Sequence, residues 1–303
     1  MDPVITVQGL SKRYGSVTAV ADVSLDVGRG EIFGILGPNG AGKTTTVEMI
    51  QGLRRPDAGS VRLLGLDPQR DTREVRERVG TQLQSAVLPD ELKVWEALDL
   101  YASFYRAPHD PGQLLATWGL AEKRDATFGT LSGGQRQRLF IALALIGDPE
   151  VVFLDELTTG LDPHARRATW ELVRAIRASG VTVVLVTHFM DEAETLCDRI
   201  AIIDDGRVVA LDTPAALTRH ARQAQRVLFT APPEFVADWL ATVDGVDDIA
   251  VRGDEVIVTG TGPLLARVAT CLATHDASPD DLRTERATLE DAFLGLTGHS
   301  VSL

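Results

Sequence analysis

Eight consecutive residues, Gly37-Pro38-Asn39-Gly40-Ala41-Gly42-Lys43-Thr44, follow an apolar run, Ile32–Leu36, and lead into a helical pattern. The spacing G-x-x-x-x-G-K-[ST] suits phosphate chemistry. Glycines let backbone N–H groups turn inward around phosphate oxygens. The helix that begins near Lys43 adds the positive end of its dipole. Lys43 is placed to reach β- and γ-phosphates, the Thr44 hydroxyl to ligate Mg²⁺, and Thr45 completes the nucleotide-binding set. A second run, Val151-Val152-Phe153-Leu154-Asp155-Glu156, ends a buried strand in two adjacent carboxylates. Asp155 would hold Mg²⁺ through water, and Glu156 would polarise an attacking water as general base. A third segment, Leu131-Ser132-Gly133-Gly134-Gln135, is another glycine turn feeding a helix N-terminus, again suited to an anion. The first loop already serves the nucleotide's own side. A second anion site is useful if it closes on a nucleotide held by a second subunit.

Taken together, these segments resemble the ATPase subunits of ATP-binding-cassette (ABC) transporters. LSGGQ at 131–135 precedes LDE at 154–156 by one helix length, as in that family. TTGLDP at 158–163 is similar to the family's D-loop and contributes Asp162. Thr187-His188 is similar to its switch histidine, and Val79-Gly80-Thr81-Gln82-Leu83-Gln84 to its Q-loop, with Gln84 as the glutamine and metal ligand. Tyr14, in Lys12-Arg13-Tyr14-Gly15, resembles the aromatic that stacks on adenine. The chain departs from the pattern at Leu157, where the family has proline, and a looser turn is expected there.

The resemblance implies ATP and Mg²⁺ as cofactors and a head-to-tail homodimer with ATP between the phosphate loop of one subunit and Ser132–Gln135 of the other. It also implies a separate transmembrane permease, and a place in the cytoplasm on the inner face of the membrane. In the family a coupling helix of the membrane subunit docks in the neighbourhood of the stretch 85–102. The segment 80–106 and the tail Ala287–Gly298 are similar to drug- and antibiotic-resistance exporter ATPases of the daunorubicin-resistance type. Three other readings stay open: a soluble cassette ATPase acting on ribosomes or DNA, an importer motor, and a pseudo-ATPase that only binds nucleotide, against which the intact Asp155, Glu156 and His188 argue. The first usually has two cassettes or a long coiled-coil insert, and this chain has one cassette and no such insert. The second tends to carry a β-barrel tail, whereas this tail alternates helices and strands.

The elements that must position these residues follow from apolar patterning. Strands are expected at 4–8, 18–27, 31–36 and 60–64, and a helix from Lys43 to about Gly52. From 88 to 148 the pattern is helical, with Val94, Ala97, Leu98, Tyr101 and Phe104 or Tyr105 on one face. VVFL at 151–154 and VTVVLV at 181–186 read as buried parallel strands joined by a helix from His164 to Ala178. A hairpin is expected at 199–203 and 207–211 around Asp205-Gly206, and a helix start at Thr213-Pro214. After 219–226 the order β-α-β-β-α-β suggests a small ferredoxin-like unit: strands 226–230, 247–251, 255–259 and near 282–286, helices 234–242, 263–274 and 288–296. The fold class is therefore α/β, a phosphate-loop core sheet with an antiparallel β edge and a helical subdomain (about 86–150) within residues 1–218, and an α+β accessory domain over 219–303.

The bulk properties narrow the classes. The 303 residues carry a formal net charge of −13, which disfavours a nucleic-acid partner. The two cysteines, Cys197 and Cys271, form no ligand-like cluster and read as reduced thiols. No run approaches the ~20 apolar residues that a membrane-spanning helix needs.

Overall fold

The computed structural model describes residues 3–82, 87–221, 225–233, 235–285 and 288–297. The chain divides into two compact units, one running to Pro214 and the other starting at Ala215.

The first unit contains β1 (Ile5–Tyr14), β2 (Val17–Val27), β3 (Ile32–Leu36), α1 (Lys43–Ile50), β4 (Ala58–Leu63), α2 (Thr72–Arg78), β5 (Val79–Gln82), α3 (Val94–Ala102), α4 (Pro111–Thr117), α5 (Gly133–Leu145), β6 (Val151–Asp155), α6 (Pro163–Ala178), β7 (Thr182–Thr187), α7 (Met190–Leu196), β8 (Arg199–Asp204) and β9 (Arg207–Asp212). Its nine strands form one sheet in the order β4-β1-β2-β9-β8-β3-β7-β6-β5. The strands β8, β3, β7, β6 and β5 pair in parallel, whereas β1 pairs antiparallel with β2 and β4, and β8 with β9. Every residue of β3, β6 and β7 is buried, as expected of parallel strands covered on both faces. Because both faces are covered, polar side chains reach solvent only at the strand ends, and the carboxyl ends of β3, β6 and β7 carry the candidate chemistry. The hairpin between β8 and β9 turns through Asp205 at φ 45° and Gly206 at φ 70°, the left-handed pair that a tight two-residue turn requires.

Several boundaries differ from the sequence reading. The strand expected at 4–8 continues to Tyr14, with register shifts after Val7, Leu10 and Lys12. The helical stretch at 88–148 is broken into α3, α4 and α5, separated by a loop through Pro108 and by short 3₁₀ turns at Ala121–Lys123 and Phe128–Thr130. Of the two aromatic candidates at the end of α3, Tyr105 turns inward: a Cβ on Gly147 would stand 2.3 Å from its ring, whereas Phe104 is 68% exposed.

A further helix, α8 (Pro214–Ala221), begins where the division falls. The second unit then contains β10 (Gln225–Thr230), α9 (Asp238–Ala241), β11 (Val246–Arg252), β12 (Glu255–Gly260), α10 (Leu264–Thr274), β13 (Arg283–Glu285) and α11 (Leu289–Thr297). Its sheet order is β11-β12-β10-β13, antiparallel throughout, which is the ferredoxin-like arrangement expected from the element order. Val227, Phe229, Val256 and Val258 face Leu264, Val268 and Leu272 of α10 in a core of their own. The helix expected at 234–242 is shorter, Asp238–Ala241. It follows Pro232-Pro233, which cannot donate to a preceding turn.

Candidate functional site

The phosphate-binding loop joins β3 to α1, and its glycines are dictated by what surrounds them. A Cβ on Gly37 would stand 2.1 Å from the carbonyl oxygen of Ile203, and one on Gly42 2.2 Å from that of Ala19. Gly42 also sits at φ 97° and caps α1 in a left-handed conformation, and Gly40 is at φ 83°. Within the loop the Ala41 N–H donates to the Pro38 carbonyl at 3.2 Å, and Gly206 N–H donates to the Ala41 carbonyl at 3.0 Å. Asn39 stands between Pro38 and Gly40 at the loop's exposed tip.

Lys43 is buried, and its ammonium donates to the carbonyls of Gly37 at 2.8 Å and Pro38 at 2.9 Å. The lysine thus lies across the loop it belongs to. Burial lowers its pKa, and the charges of Glu156 and Asp155 oppose that shift. Thr44 is exposed and Thr45 half-buried on the first turn of α1, while Thr46 turns back to bond the Gly42 carbonyl at 2.9 Å.

Asp155 ends β6 and is only 6% exposed. Burial, then the neighbouring Glu156 charge, pushes its pKa up to about 6 against the pull of Lys43. Glu156 adopts φ 49°, a left-handed conformation unusual for a side chain of this kind. Its N–H donates to the Val186 carbonyl at 2.9 Å, which ties the turn to β7. The Nδ1 of His188, just beyond β7, lies 3.3 Å from Glu156 Oε1, and the Thr159 hydroxyl lies 3.5 Å from Oε2. Leu157, where a looser turn was expected, is 1% exposed, so a buried side chain anchors the turn instead of a proline ring.

Ser132 caps α5 in a reciprocal box: its hydroxyl accepts the Gln135 N–H at 3.3 Å, and Gln135 Oε1 accepts the Ser132 N–H at 3.0 Å. Arg136 braces the approach by donating to the carbonyls of Leu131 and Gly129. Nothing lies within 4 Å of a Cβ placed on Gly134, and Ser132 and Gly133 are exposed, so the turn presents open backbone to solvent. Among the described residues no hydrogen bond links Ser132–Gln135 to the phosphate loop. Asp162 caps α6, accepting the N–H groups of His164 and Ala165 at 2.9 Å each, and these bonds lower its pKa. Tyr14 ends β1 with its ring 41% exposed, flanked by the Arg54 guanidinium at 5.3 Å and the Lys12 ammonium at 5.9 Å. Gln84 lies outside the described residues. Gln82, two positions earlier, is buried in β5.

The sequence reading missed Arg54 beside Tyr14 and a buried polar group around Glu192 in α7. The only signal for Glu192 was its place on one helix face with Ala193 and Leu196, both buried.

Strand order, glycine loop and paired carboxylates at the carboxyl end of a parallel sheet define a phosphate-loop nucleotide hydrolase. The comparisons narrow the class. The family model described as ABC transporter matches residues 20–159. Nod factor export ATP-binding protein I of Ralstonia nicotianae is 40% identical over 315 residues, covering 99% of this chain and 95% of that one. Daunorubicin resistance ATP-binding protein DrrA3 of Streptomyces coeruleorubidus is 39% identical over 305 residues, covering 98% and 96%. A solved structure described as the ATP binding subunit of an ABC transporter superposes with a TM-score of 0.65 at 31% identity, covering 72% of this chain and 92% of that one.

The chain belongs to the ABC transporter family, as an ATP-binding subunit that couples ATP hydrolysis to transport. As an ATP-binding subunit of this family it works with a separate membrane partner. Among the described residues no helix is long and apolar enough to cross a membrane.

Proposed function

We propose that this chain energises export of drugs, antibiotics or other hydrophobic small molecules through a separate permease, from the cytoplasmic face of the membrane. The observation that carries this reading is the extent of the likeness to a Nod factor export and a daunorubicin resistance ATP-binding protein: the matches, near 40% identical overall, span the second unit as well as the first. An importer motor tends to carry a β-barrel tail, whereas the second unit here is an open four-stranded sheet with helices, and the net charge of −13 disfavours a nucleic-acid partner.

In this reading Tyr14 stacks on adenine, and the backbone of Gly37–Gly42 with Lys43 and Thr45 holds the phosphates. Lys43 exchanges its two loop carbonyls for phosphate oxygens, a trade of neutral acceptors for charged ones. Thr44, Asp155 and Gln84 would hold Mg²⁺. The donor set fits a hard cation, because a buried carboxylate whose pKa is pushed up to about 6 is relieved by a positive charge beside it. Among the described residues no group of three His, Cys, Asp or Glu could hold a metal. The ion supplies charge neutralisation at the transferring phosphoryl group.

Glu156 accepts the proton of the attacking water, and His188 fixes Glu156 and contacts the γ-phosphate. The open Ser132–Gln135 turn receives the γ-phosphate of a second subunit, so that two ATP molecules close a homodimer, with Asp162 near the seam. Hydrolysis opens the dimer again and drives the permease.

The test is drug sensitivity in cells that express the chain together with a candidate transmembrane permease. The wild-type pair should raise tolerance to an amphipathic aromatic antibiotic, and E156Q should remove the gain. Uptake that depends on the pair, or no change in sensitivity with any such compound, would defeat the exporter reading.

A further inference from the structure

Behind Glu156 and His188 lies a polar cluster that hydrolysis, as described, does not use. Glu192 has no exposed surface. Its Oε1 accepts the indole N–H of Trp170, on α6, at 3.1 Å. The hydroxyls of Thr187, at the end of β7, and Thr158, in the turn after β6, face the same carboxyl. Burial raises the pKa of Glu192, and the neighbouring Thr187 and Thr158 hydroxyls, the Trp170 N–H and the charge of Arg166 oppose that shift. Arg166 belongs to the same cluster: it bonds Asp191 at 3.2 Å and lies 4.2 Å from the Phe189 ring.

A carboxyl with no access to water is costly to fold around, so its contacts are where its use should be sought. Both threonines belong to the segments that carry the hydrolytic pair. Thr187 directly precedes His188, and its hydroxyl accepts the Phe189 N–H at 3.0 Å, which fixes the backbone on both sides of the histidine. Thr158 lies two residues after Glu156, in the turn that Leu157 anchors. Thr158 Oγ1 and Glu192 Oε2 are both buried and make no hydrogen bond in this conformation. A small rotation of the turn toward α7 would give each a partner.

We propose that Glu192 is a positioning residue for hydrolysis, holding the turn that carries Glu156 in register with the strand end that carries His188. The inference rests on the roles given above to Glu156 and His188. It deepens them by naming what sets their 3.3 Å separation.

The test is steady-state phosphate release by the full chain, with its membrane partner where the chain alone turns over slowly. Wild type, E192Q, E192L, the double variant T158V/W170F and E156Q are compared. E192L should lower kcat about tenfold and leave KM for ATP within about twofold, because it strands buried donors but touches no phosphate contact. E192Q keeps an oxygen for Trp170 and gains an N–H for a threonine hydroxyl, so it should restore kcat to within about threefold of wild type. If E192L does not fold, the double variant carries the test, with the same loss in kcat at unchanged KM. A kcat within about twofold of wild type, in folded E192L or in the double variant, overturns the proposal. So does an E192Q as slow as E192L, which would mean that charge and not placement matters. Full turnover by E156Q would overturn the base assignment instead, whatever the Glu192 variants do.

Discussion

Asp155 is held at a cost that one substitution should expose. Its pKa stands at about 6 against an ordinary 3.8, raised first by burial and then by the Glu156 charge. A raised carboxyl binds its proton more tightly in the folded chain than in the unfolded one. The cost is therefore absent well below pH 3.8, grows as pH climbs through the window to 6, and is complete above it. At 1.36 kcal/mol per unit, it reaches about 3 kcal/mol at neutral pH and about 1 kcal/mol at pH 4.5. Asp155→Asn removes the charge and keeps the shape. In EDTA and without nucleotide, urea unfolding of the first unit should show the variant more stable by up to about 3 kcal/mol at pH 7.5, shrinking to about 1 kcal/mol at pH 4.5. The same variant should lose the Mg²⁺-dependent part of the stabilisation that ATP gives the wild type. A variant no more stable than wild type at pH 7.5, or a gain that does not shrink in acid, would refute the claim that the metal ligand is kept ionised against burial.

Gly42→Ala should lower ATP affinity at least about tenfold with the sheet intact, since the new methyl meets the Ala19 carbonyl and φ 97° is unfavourable for alanine; an ATP titration with far-ultraviolet circular dichroism checks it. Lys43→Ala should abolish tight nucleotide binding, and wild-type affinity in the same titration would count against the phosphate-loop assignment. A chain ending near residue 218 should fold and bind ATP as the full chain does, because the second unit has its own core and none of the proposed phosphate contacts; a folded but non-binding product would contradict this.

The phosphate loop was legible because sterics leave no alternative to glycine at Gly37 and Gly42, and the sequence states glycines directly. The buried strands were legible because continuous apolar runs admit little else. The order of the second unit was readable from alternating elements, and the sheet pairing agrees with it. What was not legible depends on side-chain direction. Tyr105 and Phe104 are adjacent aromatics, and only packing on Gly147 decides which turns inward. Glu192 sits in Met-Asp-Glu-Ala-Glu, where residue type does not mark which acid turns inward, and the helix geometry points that one carboxyl at Trp170. The left-handed backbone of Glu156 has no sequence signature at all. The D-loop motif names Asp162 but not its local bonds, by which its carboxylate caps α6.

The central claim is that Glu156 is the base and that Ser132–Gln135 completes the site across a subunit boundary. Glu156→Gln keeps the shape of the turn and removes both the base and a negative charge near the γ-phosphate. Phosphate release should fall about 10²-fold or more while ATP binding survives. Light scattering of this variant with Mg²⁺ should then show a long-lived dimer in ATP and a monomer in ADP. Adding Ser132→Arg, which crowds the exposed cap of α5, should return the ATP sample to monomer. An ATP-bound E156Q chain that stays monomeric even beside its membrane partner, or a dimer indifferent to Ser132→Arg, would contradict the shared-site account.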